Sequence, residues 1–227
     1  MDIKKIQRFV DRSVKKLRVA GIPLEDIFVE EKETKGPLVT IPFCTISGKI
    51  YVNPKKVSDI LDFHPELFEE YLVAHELGHR THRVLNPDFN NILYRGLGIP
   101  FDLETTKTTK TNAFRKFFYG AKLIISGNLV VPYCINEGIA ESFALDLLPK
   151  LGIYPPENKF NIRRIRQINI DLTGFNPYIS QGYSFFHPLA KRKGLSGMIE
   201  YIRDFTESDV PTRRDIKNPI AYWENRK

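Results

Sequence analysis

The amino-acid sequence predicts an α+β fold whose small sheet is confined to the first third of the chain. Three observations carry this. Apolar residues recur at helical spacing over residues 2 to 19, three short β-rich runs follow between residues 27 and 53, and from Pro65 onward the spacing is mostly helical. There is no internal repeat. A chain of 227 residues can bury a core without disulfides or a metal as staples, so a metal site here is expected to do more than hold the fold.

Ile3, Ile6, Val10, Val14 and Leu17 define the apolar face of the first helix, with lysines and arginines opposite, and Gly21 and Pro23 stop it. Such a basic amphipathic helix is expected to pack on its own domain. The runs IFVEE (27–31), LVTIPF (38–43) and KIYVN (49–53) read as strands, the last two forming a hairpin through Ser47-Gly48. Leu67, Phe68, Tyr71, Leu72, Ala74, Leu77 and Gly78 then mark a helix that Asn86-Pro87 closes. Residues 86–112, polar and ending in TTKTTKTN, are expected to form a surface excursion with little regular structure. A further helix is expected from near Asn136 through GIAESFALDLL to Pro149. After the turn at Tyr154-Pro155-Pro156 the remainder reads as mostly helical, with breaks at Gly174, Pro177 and Gly194. We expect a single domain over residues 1–227, with the sheet and the histidine-rich helix in 1–85 and a helical part in 86–227.

The net charge of +7 is spread along the chain without a run of like charges, which fits a solvated basic surface rather than a nucleic-acid groove. Cys44 and Cys134 form no C-x-x-C pair and are expected to be free thiols in a reducing, cytoplasmic compartment. The first residues lack an apolar core of the secretory kind, and the longest apolar stretch, residues 123 to 135, is short and interrupted by Gly127, Asn128 and Pro132. No membrane association is expected.

The chemistry concentrates in VAHELGHRTH, residues 73 to 82, which holds three of the five histidines. Residues four apart on a helix share a face, so His75 and His79 can present two imidazoles to one metal ion. Glu76, between them, can reach a water at that ion without being a ligand. This is the H-E-x-x-H pattern of zinc sites that hydrolyse amide bonds, and Zn2+ is the expected cofactor. A catalytic zinc takes three protein ligands and leaves a position open. A histidine six residues after His79 would suit a metzincin, but Leu85 stands there. NEGIAE, residues 136 to 141, offers Glu137 and Glu141 one helical turn apart, so that one can bind metal and the other accept a hydrogen bond from a ligand histidine. His82 reads as a polar or supporting histidine, His64 as a loop or helix-end residue, and Cys134 as core.

H-E-L-G-H followed by N-E-G-I-A-E resembles the gluzincin metallopeptidases, the thermolysin-like and aminopeptidase group. That resemblance implies a zincin-like fold, a peptide or protein substrate, Glu137 as the third zinc ligand, Glu141 as the partner of a ligand histidine and Glu76 as general base and acid. It also implies a Tyr or His donor for the oxyanion, for which Tyr183, His187 and Tyr178 are the candidates, and an edge strand, LVTIPF or KIYVN, that pairs with the substrate backbone. Residues 137 to 149 are also similar to small intracellular metalloproteases that cleave phage-type repressors, and residues 182–194 and 209–223 to the closing helices of predicted gluzincins. The rival expectation is a latent or non-catalytic zinc-binding protein of regulatory or structural role. Glu76 argues against it, since a structural zinc needs no general base.

Overall fold

The structure, a computed structural model, describes residues 2–32, 43–46, 49–97, 130–170 and 177–226. Its first element, α1 (Ile3–Val19), is started by the Asp2 carboxylate, which accepts from the backbone N–H of Lys4 and Lys5 at 2.9 and 3.2 Å. Ile6, Phe9, Val10, Val14 and Leu17 are buried, so the helix packs on its own domain through the face its periodicity defines. Gln7 ties it to the sheet, donating to the Ile27 carbonyl at 2.9 Å and accepting from the Val29 N–H at 2.7 Å.

Three strands, β1 (Phe28–Glu31), β2 (Phe43–Ile46) and β3 (Lys49–Val52), form a sheet of order β1-β3-β2. β1 runs parallel to β3, with Val29 opposite Ile50, and β2 runs antiparallel to it, with Ile46 opposite Lys49. KIYVN is therefore the central strand and not an edge. β2, the edge antiparallel to it, lies against the helix that carries the histidines. Residues 38–42 and the Ser47-Gly48 turn fall outside the described residues.

Helix α2 (Pro54–Phe63) was not among the expected elements, although its start is signalled by Asn53 as cap and Pro54 in the first turn. Helix α3 (Glu69–Leu85) ends at Asn86 as its sequence predicts. The expectation of an irregular excursion after Asn86 is corrected by α4 (Phe89–Gly96), which buries Phe89 and Leu93 and stacks Phe89 on Phe205 at 4.3 Å. Two apolar residues four apart suffice to seat a short helix, too weak a period to stand out among polar neighbours. Residues 98–112 fall outside the described residues.

Helix α5 (Val130–Ser142) is already formed six residues before Asn136 and continues into a π-helical turn at Phe143–Leu147. Val131, Cys134, Ile135, Ile139 and Ala140 are all buried. A helix enclosed over most of its surface shows little amphipathic alternation, so its beginning leaves little mark on the sequence. It is flanked by α3 and by α7 (Pro177–Arg203), which opens at Pro177 and breaks at Gly194 (φ 65°), while α6 (Lys159–Ile170) packs beside α7. Gly174 is outside the described residues. The chain closes with α8 (Arg213–Lys217) and α9 (Pro219–Glu224), whose Trp223 donates to the Phe185 carbonyl at 2.5 Å. The architecture is α+β and mainly helical. No helix among the described residues is long and apolar enough to cross a membrane.

A candidate metal centre between two helices

The close approach of α3 and α5 is set by Gly78, within the H-E-L-G-H run. A Cβ there would lie 2.6 Å from the Cα and 2.7 Å from the carbonyl oxygen of Ala140, closer than packed atoms come. The absence of a side chain at this point lets α3 bring its histidines within reach of the acids on α5. On the other side of α5, Gly138 meets the backbone of α7 at Gly182 in the same way.

Across the first contact the side chains interlock. His75 Nε2 is 3.1 Å and His79 Nε2 3.7 Å from the same oxygen of Glu137, Oε2. The other ring nitrogen of His75, Nδ1, is 2.8 Å from Glu141 Oε2. Glu141 is fully buried, and its Oε1 accepts from the Tyr71 hydroxyl at 2.5 Å and from Asn169 Nδ2 at 2.7 Å. Asn169 in turn accepts from Ser180. The two glutamates are thereby distinguished: Glu137 faces both imidazoles, and Glu141 orients one of them from behind.

Burial by itself would lower the pKa of His75, but its bonds to Glu137 and Glu141 outweigh burial and hold it well above the ordinary histidine value. Burial would likewise raise Glu137, yet the bonds from His75 and His79 outweigh it and keep this carboxyl far below the usual range. Two imidazoles thus converge on one ionised carboxylate.

The donor set fits a small divalent cation. Atoms of His75, His79 and Glu137 able to bind metal all lie within 4.8 Å of one another. Two ligands of a tetrahedral zinc about 2.0 Å from the ion are about 3.3 Å apart, and the observed 3.1 and 3.7 Å bracket that spacing. Glu76, half-buried, is adjacent to His75 on α3.

The other expected residues fall elsewhere. Tyr183, which is buried, and His187, which is partly exposed, form a second cluster around the buried Asp146, on the π-helical turn. The Tyr183 hydroxyl donates to Asp146 Oδ1 at 3.2 Å, His187 Nδ1 lies 3.0 Å from Oδ2, and Arg166 Nε lies 3.1 Å from Oδ1. Burial, and then the Asp146 charge, push the Tyr183 phenol well up. Tyr178, at the start of α7, is half-exposed, and its ring stands edge-on to Tyr133, 5.7 Å away and one helical turn before Glu137. His82 is buried beside His79 and Phe89 with neither ring nitrogen hydrogen-bonded among the described residues, and burial holds its pKa well below the ordinary value. His64 caps the end of α2, 3.6 Å from Glu66. Cys134 is a buried free thiol whose pKa burial pushes up to about 12.

Tyr71, Asn169 and Asp146 were not among the expected site residues. Tyr71 carried a signal, one helical turn before His75 and facing the same way. Asn169 and Asp146 carried none, because their roles depend on how α5, α6 and α7 meet. Comparison of the chain with models of protein families, with curated proteins and with solved structures finds no match.

Proposed function

We propose that the protein is a zinc-dependent peptidase of gluzincin type, with a zincin-like arrangement of sheet and helices, acting on peptide or protein substrates. The observation that carries this reading is the convergence of His75 and His79 on Glu137 Oε2, with Glu76 next to the first histidine. His75, His79 and Glu137 would hold the zinc, and the Glu141 carboxylate fixes His75 by accepting from Nδ1, which leaves Nε2 on the side of Glu137. A zinc ion bound there would supply a water acidic near neutral pH and a Lewis acid for the scissile carbonyl. Glu76 takes a proton from the attacking water and delivers it to the leaving amine.

The remaining parts follow from exposure and position. Tyr183 and His187 are tied to Asp146, so the oxyanion donor in this reading is Tyr178, half-exposed beside the turn that precedes Glu137. Strand β2, an edge of the sheet among the described residues and next to α3, offers its backbone to an extended substrate.

Elemental analysis of the wild type, Glu137→Ala and Glu76→Gln, with a peptide-mixture cleavage assay on the same samples, tests the reading. One zinc per chain is expected in the wild type, little in Glu137→Ala, and retained zinc without cleavage in Glu76→Gln. Zinc in a wild type that cleaves nothing would make the site structural or latent, and a chain that takes up no zinc after reconstitution would refute the proposal.

A further inference from the structure

We propose that Asn169 is a positioning residue of the metal centre, carrying the placement of the first turns of α7 to His75 through Glu141, an inference that rests on the role of His75 in the peptidase reading. A continuous line of hydrogen bonds joins the two. The Ser180 hydroxyl on α7 donates to Asn169 Oδ1 at 3.2 Å, Asn169 Nδ2 donates to Glu141 Oε1 at 2.7 Å, and His75 Nδ1 lies 2.8 Å from Glu141 Oε2. The opposite ring atom, His75 Nε2, is the one that meets Glu137, at 3.1 Å. Ser180 and Glu141 have no exposed surface and Asn169 is only 2% exposed, so bulk water cannot replace a broken bond in this line.

The chemistry of the groups fixes the direction of each bond. A carboxylate only accepts, so the Asn169 amide must turn its nitrogen to Glu141, which leaves its oxygen for the Ser180 hydroxyl. The same carboxylate takes the Nδ1 proton of His75 and so sets the orientation of the ring. Tyr71, the other donor to Glu141 Oε1, lies on α3 with His75 and ties in no further element. Asn169 differs because it brings in α6 and, through Ser180, α7. Tyr178 stands two residues before Ser180, so in the peptidase reading the turn that carries the oxyanion donor is the one that sets the ligand.

Asn169 makes one more bond, which lies outside this line. Its backbone carbonyl, left without a helical partner at the end of α6, accepts from the Ser184 hydroxyl at 3.1 Å. Ser184 is one turn past Ser180 on α7, so the two serines tie the same pair of helices together, one through the amide and one through the backbone. A role limited to packing α6 on α7 would make the two serines equivalent at the metal centre.

The test compares Asn169→Ala, Ser180→Ala and Ser184→Ala in the full-length chain. Zinc affinity is measured by competition with a chelator, ligand geometry by the visible spectrum after cobalt(II) substitution, and the proton on His75 Nδ1 by NMR of the metal-free protein. We expect zinc affinity to fall about tenfold in Asn169→Ala and about threefold in Ser180→Ala, with the cobalt bands and the His75 resonance shifted in both. Ser184→Ala lowers the melting temperature and leaves all three readouts at wild-type values. Ser180→Ala combined with Asn169→Ala binds zinc no more weakly than Asn169→Ala alone, because the serine acts only through the amide. Additive losses in that pair, wild-type readouts in Asn169→Ala or Ser180→Ala, or equal shifts in Ser180→Ala and Ser184→Ala overturn the proposal, and the two serine variants decide it even where Asn169→Ala does not fold. Zinc-loaded protein that cleaves no peptide would count against the peptidase reading alone. A chain that takes up no zinc would likewise count against that reading, while the His75 resonance of the variants still decides the role of Asn169.

Discussion

Glu141 accepts from three groups at once, and each bond does separate work. His75 is oriented by one, while the Tyr71 hydroxyl and the Asn169 amide satisfy the second oxygen of a carboxylate that has no access to water. Removing the Tyr71 hydroxyl as Tyr71→Phe keeps the ring in the core but leaves Glu141 one donor short. The expected cost is about 1–2 kcal/mol in urea unfolding, with zinc affinity lowered only severalfold. Glu141→Gln keeps the shape and loses the charge that fixes His75, so its affinity should fall by about 10–100-fold. Equal zinc affinities for the two variants, measured by competition with a chelator, would contradict this division of labour. At this scale the sequence was informative about His75, His79, Glu76 and the pair Glu137 and Glu141, because helical periodicity alone puts each set on one face. It did not single out Tyr71 and Asn169 as the groups that complete Glu141, since all three of its donors lie far from it in sequence, Tyr71 and His75 on α3 and Asn169 on α6.

The decisive element-scale feature is the contact of α3 with α5 at Gly78. A glycine in a helix interior ordinarily costs stability, so Gly78→Ala at an open position would stabilise by up to about 1 kcal/mol. Here the added methyl meets the Ala140 backbone, and we expect the opposite sign: a net loss of about 1–2 kcal/mol and zinc affinity reduced about tenfold as the helices part. Thermal unfolding with and without zinc checks both, and a stabilised variant would show that the contact does not set the separation. The helices α1 and α3 were legible because each has one buried and one open face. The start of α5 and the helices α2 and α4 were not, since enclosure removes the alternation in α5 and α4 carries only two buried residues.

For the whole molecule, the residues that could hold a metal are 75, 79 and 137, so an ion bound there would join helices far apart in sequence. Zinc should then stabilise the native state as any ligand specific to it does. At free zinc roughly a thousand times the dissociation constant, the gain is about 4 kcal/mol. In a chain of this size that corresponds to a melting temperature about 8–16 °C higher. Calorimetry before and after chelation measures it, and an unchanged melting temperature in protein shown to have bound zinc would mean that the two helices are not held by the ion. The core itself needs no such staple, as α1, α3, α5 and α7 bury a continuous apolar interior.

The sequence by itself determined the α+β class, the helix bearing His75 and His79, and the pairing of Glu137 with Glu141, because these depend on spacing within single segments. It did not determine which strand is central or where Tyr183 and His187 point. Only the tertiary structure decided those: β3 is interior because β1 pairs with it in parallel, and Tyr183 and His187 turn to Asp146 because α7 crosses α5 at the Gly138 and Gly182 contact. The physical reason is that periodicity records which face of an element is buried, while the partner that buries it is chosen by packing among distant segments.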